Sequence, residues 1–168
     1  MAFERMIRNA FEESQNNCRF GDTLEEIREI QDYIKNAERI YIPNKNGIKV
    51  EVLNEVLESY GLPEAKILQI NTNTADTSRI PALAKAYMAL DQSDADLIIA
   101  RGRLGIPGSG SLLIFIDSKG RILTAGTSPS HLIHKKTIEE AVYSEACEAL
   151  EKIGLRRSNN GDGYRNNL

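Results

Sequence analysis

The sequence predicts an α/β fold, a single-domain mixed β-sheet covered by helices. Three observations predict it: aliphatic runs alternate with helix-period segments from residue 39 onward, a Ser118-Lys119-Gly120-Arg121 turn joins two of the runs directly, and two amphipathic segments precede the first run. The 168 residues have room for one ordinary domain, taken as 1–168 with a polar tail at 156–168 expected to fray.

The elements follow in order. Phe3, Ile7, Ala10 and Phe11 repeat at helical spacing, and Asn16-Asn17 ends that helix. Thr23 with Glu26 makes a capping box for a second helix, whose apolar stripe is Leu24, Ile27, Ile30, Ile34 and Ala37. Residues 39–43 read as a strand ended by Pro43. A helix over 48–60 turns Val52, Leu53, Val56 and Leu57 inward, and Gly61 and Pro63 stop it. Residues 66–70 read as the next strand and 71–78 as a polar loop. Pro81 then opens a helix over 80–91, in the first turn where its missing N–H is tolerated. Strands are expected at 95–101, 111–117 and 122–125. A closing helix over 136–153 has Ile138, Val142, Ala146, Ala149, Leu150 and Ile153 on its inner side. Strand-to-helix order makes the first strands parallel, and the Lys119-Gly120 turn makes the last two a hairpin.

Composition narrows the function. Hydrophobic residues are 41% and charged residues 27%, which excludes a disordered chain or a fibre. Aromatics are only 6%, and 19 Ile against 4 Val point to an aliphatic core. A net charge of -3 offers no basic field for nucleic acid. No apolar run approaches the ~20 residues that span a bilayer. The first residues, MAFERMIRNAFEES, carry charges where a secretory apolar stretch would sit, so a cytoplasmic protein is expected. Cys18 and Cys147 read as reduced thiols, too few for a cysteine-based zinc site.

Ligands of such sheets bind beyond the carboxyl ends of the strands, which directs attention to residues 43–49, 71–79 and 101–111. The run 101–111 holds four glycines, two serines, Arg101 and Arg103. Gly108, Ser109, Gly110 and Ser111 let backbone approach a ligand closely, and guanidinium forks match phosphate or carboxylate oxygens. Ser111 stands where a P-loop requires lysine, and no G-x-G-x-x-G leads into a helix, so neither nucleotide fingerprint is present. The segment 43–49 opens a helix, whose N-terminus suits phosphate, and Lys45 and Lys49 add charge. Asn71, Asn73 and Thr74 offer groups able to read a base or ribose, and Asp76 offers a carboxylate for magnesium. Thr127, Ser128, Ser130 and His131 form a hydroxyl-rich rim that also reads as a plain loop. Ser130 and His131 are adjacent, a poor geometry for nucleophile and base. Asp94, Asp96 and Asp117 are explained by solvation or turn chemistry, and Glu25, Glu26, Glu29, Glu139, Glu140, Glu145 and Glu148 read as solvated faces.

The run ARGRLGIPGSGSLLIFIDSKGRIL…TAGTSPSHLIHK, with the element order around it, resembles the HcgB guanylyltransferases, a small archaeal family of iron–guanylylpyridinol cofactor biosynthesis for mono-iron hydrogenase. The resemblance covers almost the whole chain. It implies a homodimer with a fold similar to inosine triphosphate pyrophosphatases. It also implies joining GMP from GTP to a hydroxypyridinol, with release of pyrophosphate. Those pyrophosphatases carry a Ser/Thr-x-Asn-x-x-Lys loop after their first strand. Asn46 and Lys49 keep that spacing here, with Asn44 in the hydroxyl position. Their Asp-Asp-Ser-Gly segment is replaced by Arg101-Gly-Arg-Leu-Gly. Their Ser-His-Arg motif survives as Ser130-His131 followed by Leu132. Loss of the acidic pair fits a transferase better than a hydrolase.

On that resemblance, Arg101, Arg103, Lys49 and the loop to Ser111 serve the phosphates. Asn46, Asn71, Asn73 and Thr74 face ribose, base or pyridinol. Thr127, Ser128, Ser130 and His131 line the acceptor pocket, and Asp76 holds Mg²⁺. The alternatives are a house-cleaning pyrophosphatase acting on ITP or XTP and a non-catalytic nucleotide-binding module.

Overall fold

The computed structural model describes residues 2–45 and 47–158. Two helices come first, α1 (Ala2–Gln15) and α2 (Leu24–Lys35). The Thr23–Glu26 capping box forms as the spacing predicts, and the chain turns out of α1 at Asn17 in a left-handed conformation (φ 57°). Five strands follow: β1 (Ile40–Pro43), β2 (Lys66–Leu68), β3 (Leu97–Arg103), β4 (Ser111–Asp117) and β5 (Ile122–Ser128). They lie in the order β2-β1-β3-β4-β5. β2, β1 and β3 run parallel, and β4 and β5 add antiparallel.

Helices cover both faces. α3 (Gly47–Ser59) and α6 (Ile138–Lys152) pack on one face over Ile40, Ile42, Leu97, Ile99, Leu113 and Phe115. On the other face α4 (Pro81–Asp91) packs Ala86 and Ala89 over Ile98, Ala100, Ile114 and Ile116. Alternate residues of β3 and β4 thus feed two separate cores, as a strand buried on both faces requires.

Several boundaries differ from the sequence reading. β3 runs two residues further than expected, because Arg101, Gly102 and Arg103 pair with Leu113, Leu112 and Ser111. β5 continues through Ser128, so Thr127 and Ser128 are strand residues rather than a loop. The polar stretch after β2 contains a 3-10 turn, Asn73–Thr77, and a one-turn helix, α5 (His131–His134), precedes α6. Ile138 lies at the exposed start of α6, and Val50 is buried beside the partly buried Val52 that was expected to face inward. Two carboxylates also depart from the solvated-face reading. Glu145 is fully buried, and Glu26 is largely covered by Arg19.

Candidate functional site

β3 alternation dictates the centre of the site. Residues 97, 99 and 101 point to the α3/α6 layer, so the Arg101 side chain meets α6. There Glu145 takes the guanidinium edge-on: Nε donates to Oε1 at 2.8 Å and Nη2 to Oε2 at 3.1 Å. Ser111 closes the triangle, accepting from Arg101 Nη2 at 3.0 Å and donating to Glu145 Oε2 at 2.7 Å. Glu145 is 0% exposed and the arginine side chain 20%. Among the described residues, the Nη1 group of Arg101 has no hydrogen-bond partner.

This approach depends on Gly126. A β-carbon there would overlap the Glu145 carbonyl oxygen and lie 2.8 Å from its carbon, so only glycine lets α6 settle onto β5. On the opposite face Gly102 serves α4 in the same way, since a β-carbon would stand 2.9 Å from the Ala82 backbone.

Two lysines reach this strand end from opposite layers. Lys49, in the first turn of α3, is half-buried, and burial pushes its ammonium below the usual lysine range. Repulsion from Arg101 acts the same way, offset in part by Glu145 and Glu139. Lys85 extends from α4 and donates from Nζ to the Arg101 carbonyl at 2.9 Å. Burial lowers its affinity for the proton too, followed by repulsion from Lys49, with Asp76 opposing. Neither lysine makes a salt bridge among the described residues. The cluster therefore holds Lys49, Lys85 and Arg101 against one fully buried carboxylate, and that carboxylate is spent on Arg101.

Arg101 is also one wall of a cavity of 520 Å³. Gly110, Ser111, Ser130, His131, His134, Lys136 and Thr137 supply its polar lining and Pro129, Ile138 and Ala141 its apolar side, with no carboxylate among them. His131 is exposed at the rim. His134 is half-buried, and its Nδ1 accepts the Lys136 backbone N–H at 2.8 Å, which leaves Nε2 as the donor of the neutral ring.

The other residues predicted for the site are distributed more widely. Arg103 donates from Nε to the Gly105 carbonyl at 3.1 Å and from Nη2 to the Asp76 carbonyl at 2.7 Å, so it ties the β3–β4 loop to the 3-10 turn. Ser109 accepts from Gly105 N–H and donates to the Ile106 carbonyl, bracing the same loop, while Gly108 lies exposed at its tip. Asn71, Asn73, Thr74 and Asp76 are exposed, and the Asn71 side chain caps Asn73 N–H. Thr127 is exposed with its N–H on Glu148, and Ser128 is buried. Asn46 lies outside the described residues. No group of three His, Cys, Asp or Glu able to hold a metal ion occurs among the described residues.

Sequence reasoning missed Lys85, Glu145, His134 and Lys136. Two of them carried a signal. Lys85 is the only charge in α4 before its last residue, Asp91, and Glu145 stands three residues after Val142 and four before Ala149, on the buried stripe.

Fold and site together define an α/β protein with a cationic cluster at the carboxyl edge of its parallel strands. The model of one protein family, described as FeGP cofactor biosynthesis protein HcgB, guanylyltransferase, matches residues 3–155, and the chain belongs to that family. Its role is therefore that of a guanylyltransferase in FeGP cofactor biosynthesis. No helix among the described residues is long and apolar enough to cross a membrane.

Proposed function

We propose that the protein transfers GMP from GTP to a small hydroxypyridinol acceptor and releases pyrophosphate. One observation carries the reading: Lys49 and Lys85 converge on Arg101 from opposite sides of the sheet, half-buried and without a salt bridge among the described residues. Desolvated cations in this state lower their energy by meeting an anion, and a phosphate chain supplies several charges at once.

Arg101 borders both the lysine cluster and the donor-lined cavity, which supports a seat for the transferred α-phosphate between them. The acceptor oxygen, entering as its anion, attacks the α-phosphorus in line. The bond to the bridging oxygen breaks, and pyrophosphate leaves with its electron pair. The protein's part is positioning and charge neutralisation, with donors fixed before the reaction begins. Glu145 is the fully buried carboxylate of the cluster, and its bidentate engagement leaves it unavailable as a base for water. That supports transfer over hydrolysis.

Asp76 fits a minor share in a magnesium site. It is one exposed carboxylate facing the field of Lys85, and this ion keeps several waters and binds through one or two carboxylates plus substrate phosphates. When bound, the ion would neutralise phosphate oxygens. We also propose a homodimer, in which a second copy covers the apolar side of α1 and α2 where Ile7, Phe11, Leu24 and the 95%-exposed Phe20 face solvent. Sedimentation at micromolar concentration should show a dimer, and a monomer throughout refutes it.

The decisive assay mixes protein, GTP, Mg²⁺ and a 4-hydroxy-2-pyridinol, then measures pyrophosphate and a guanylyl adduct by mass spectrometry. Both products are expected. Pyrophosphate without adduct would mean a hydrolase, and neither product would mean a binding module.

A further inference from the structure

We propose that Glu145 is a positioning residue for transfer, fixing the Arg101 guanidinium so that its Nη1 edge alone faces the reacting phosphate; this rests on the phosphate reading above. Glu145 holds Nε and one side of Nη2, and Ser111 holds the other. Among the described residues every donor of the fork is thereby engaged except Nη1, and this guanidinium borders both the lysine cluster and the cavity. An arginine has a long rotatable stem, and an unheld fork would collapse onto whichever anion is nearest. The partners of Glu145 come from residues 34 and 44 positions away, so the lock assembles only in the finished fold. Gly126 is the feature that brings it within reach. A buried ion pair is weak evidence of stabilisation, so its place at the site edge calls for another reason. Orientation supplies one.

The proposal separates cleanly from a structural role. Glu145→Gln keeps the shape and removes a competing negative charge. Its GTP Kd, measured by calorimetry, should stay level or tighten, while kcat for transfer falls about 100-fold. In an Arg101→Lys background the same change should have no further effect on kcat, because the group it positions has gone. Glu145→Asp, which keeps the charge on a shorter arm, should recover part of kcat. Ser111→Ala removes one corner of the lock without touching the charge pair and should lower kcat about tenfold at unchanged Kd; it decides the question should Glu145→Gln fail to fold. A wild-type kcat in the Gln variant, or Kd and kcat lost in parallel, overturns the proposal. Lys49→Met and Lys85→Met keep the two failures apart. If neither weakens GTP binding, the phosphate site itself is wrong. If both do while Glu145→Gln turns over normally, only the positioning role falls.

Discussion

Two carboxylates buried to 0% exposure stand at opposite ends of β4's side of the sheet, each meeting an arginine. Asp117 is served locally. Its Oδ1 accepts the backbone N–H groups of Lys119 and Arg121, both at 2.9 Å, and its Oδ2 accepts Arg121 Nε at 2.6 Å. Glu4 shares Arg121 from the other side, and the Arg121 guanidinium lies over the Phe3 ring. Charges there balance, Asp117 and Glu4 against Arg121 and Lys119, although Glu4 Oε2 is buried without a hydrogen-bond partner among the described residues. Glu145 is served from distant segments, and beside it two half-buried lysines make no salt bridge among the described residues. Burial and pairing look alike at the two ends. What distinguishes a site from a staple is the charge left over.

The comparison breaks most sharply on activity. Arg101→Met should reduce guanylyl transfer by about 10²–10³, the cost of losing one preorganised donor to a developing charge. Arg121→Met should leave the kcat of the folded protein within about twofold and lower stability by about 1–3 kcal/mol, read by urea denaturation. Equal activity losses in both would mean that the two arginines serve the reaction alike. Gly126→Ala comes next. Its methyl group must displace the α6 backbone, so a loss of about 1–3 kcal/mol is expected, together with lower kcat, since Glu145 moves with the helix.

A pH titration sharpens the same contrast. Lys49 and Lys85 bind protons less tightly in the fold than an ordinary lysine at 10.5, so GTP affinity should fall with rising pH earlier than an exposed lysine site would. The ligand-free fold should move the other way. In that window the unfolded chain binds more protons than the native one, so stability rises with pH. The smallest effect lies in α2, where Arg19 first, then the Thr23 backbone, holds Glu26 down at about 2. Its contribution is full above the ordinary value of 4.5 and disappears as pH falls toward 2. Glu26→Gln should cost about 1 kcal/mol at neutral pH and nothing in acid, by thermal melts at both.

The alternating order, the capping box, Pro81 at the first turn of α4 and the Lys119-Gly120 hairpin were all legible because each is a local signal. The extension of β3 through Arg103 was not, because Gly102 and the arginines read as loop and only pairing with β4 makes them strand. At the site, Arg101 and Lys49 were legible from charge beside strand ends. Glu145 was hidden by its neighbours, since a glutamate in Glu139-Glu140…Glu145…Glu148 looks like one more solvated acid until its helical phase is counted. Arg103 shows the reverse. Its type and place suggest a ligand contact, while its Nε and Nη2 donate to the backbone carbonyls of Gly105 and Asp76 and so brace the loop.

Because Lys49 hangs from α3 and Lys85 from α4, the two helical layers meet at this edge through like charges that repel across the sheet. A polyanion seated between them would turn that repulsion into a rivet joining front to back. Amide exchange should therefore slow in the first turn of α3 and through α4 together when GTP is added, far from any surface the two helices share.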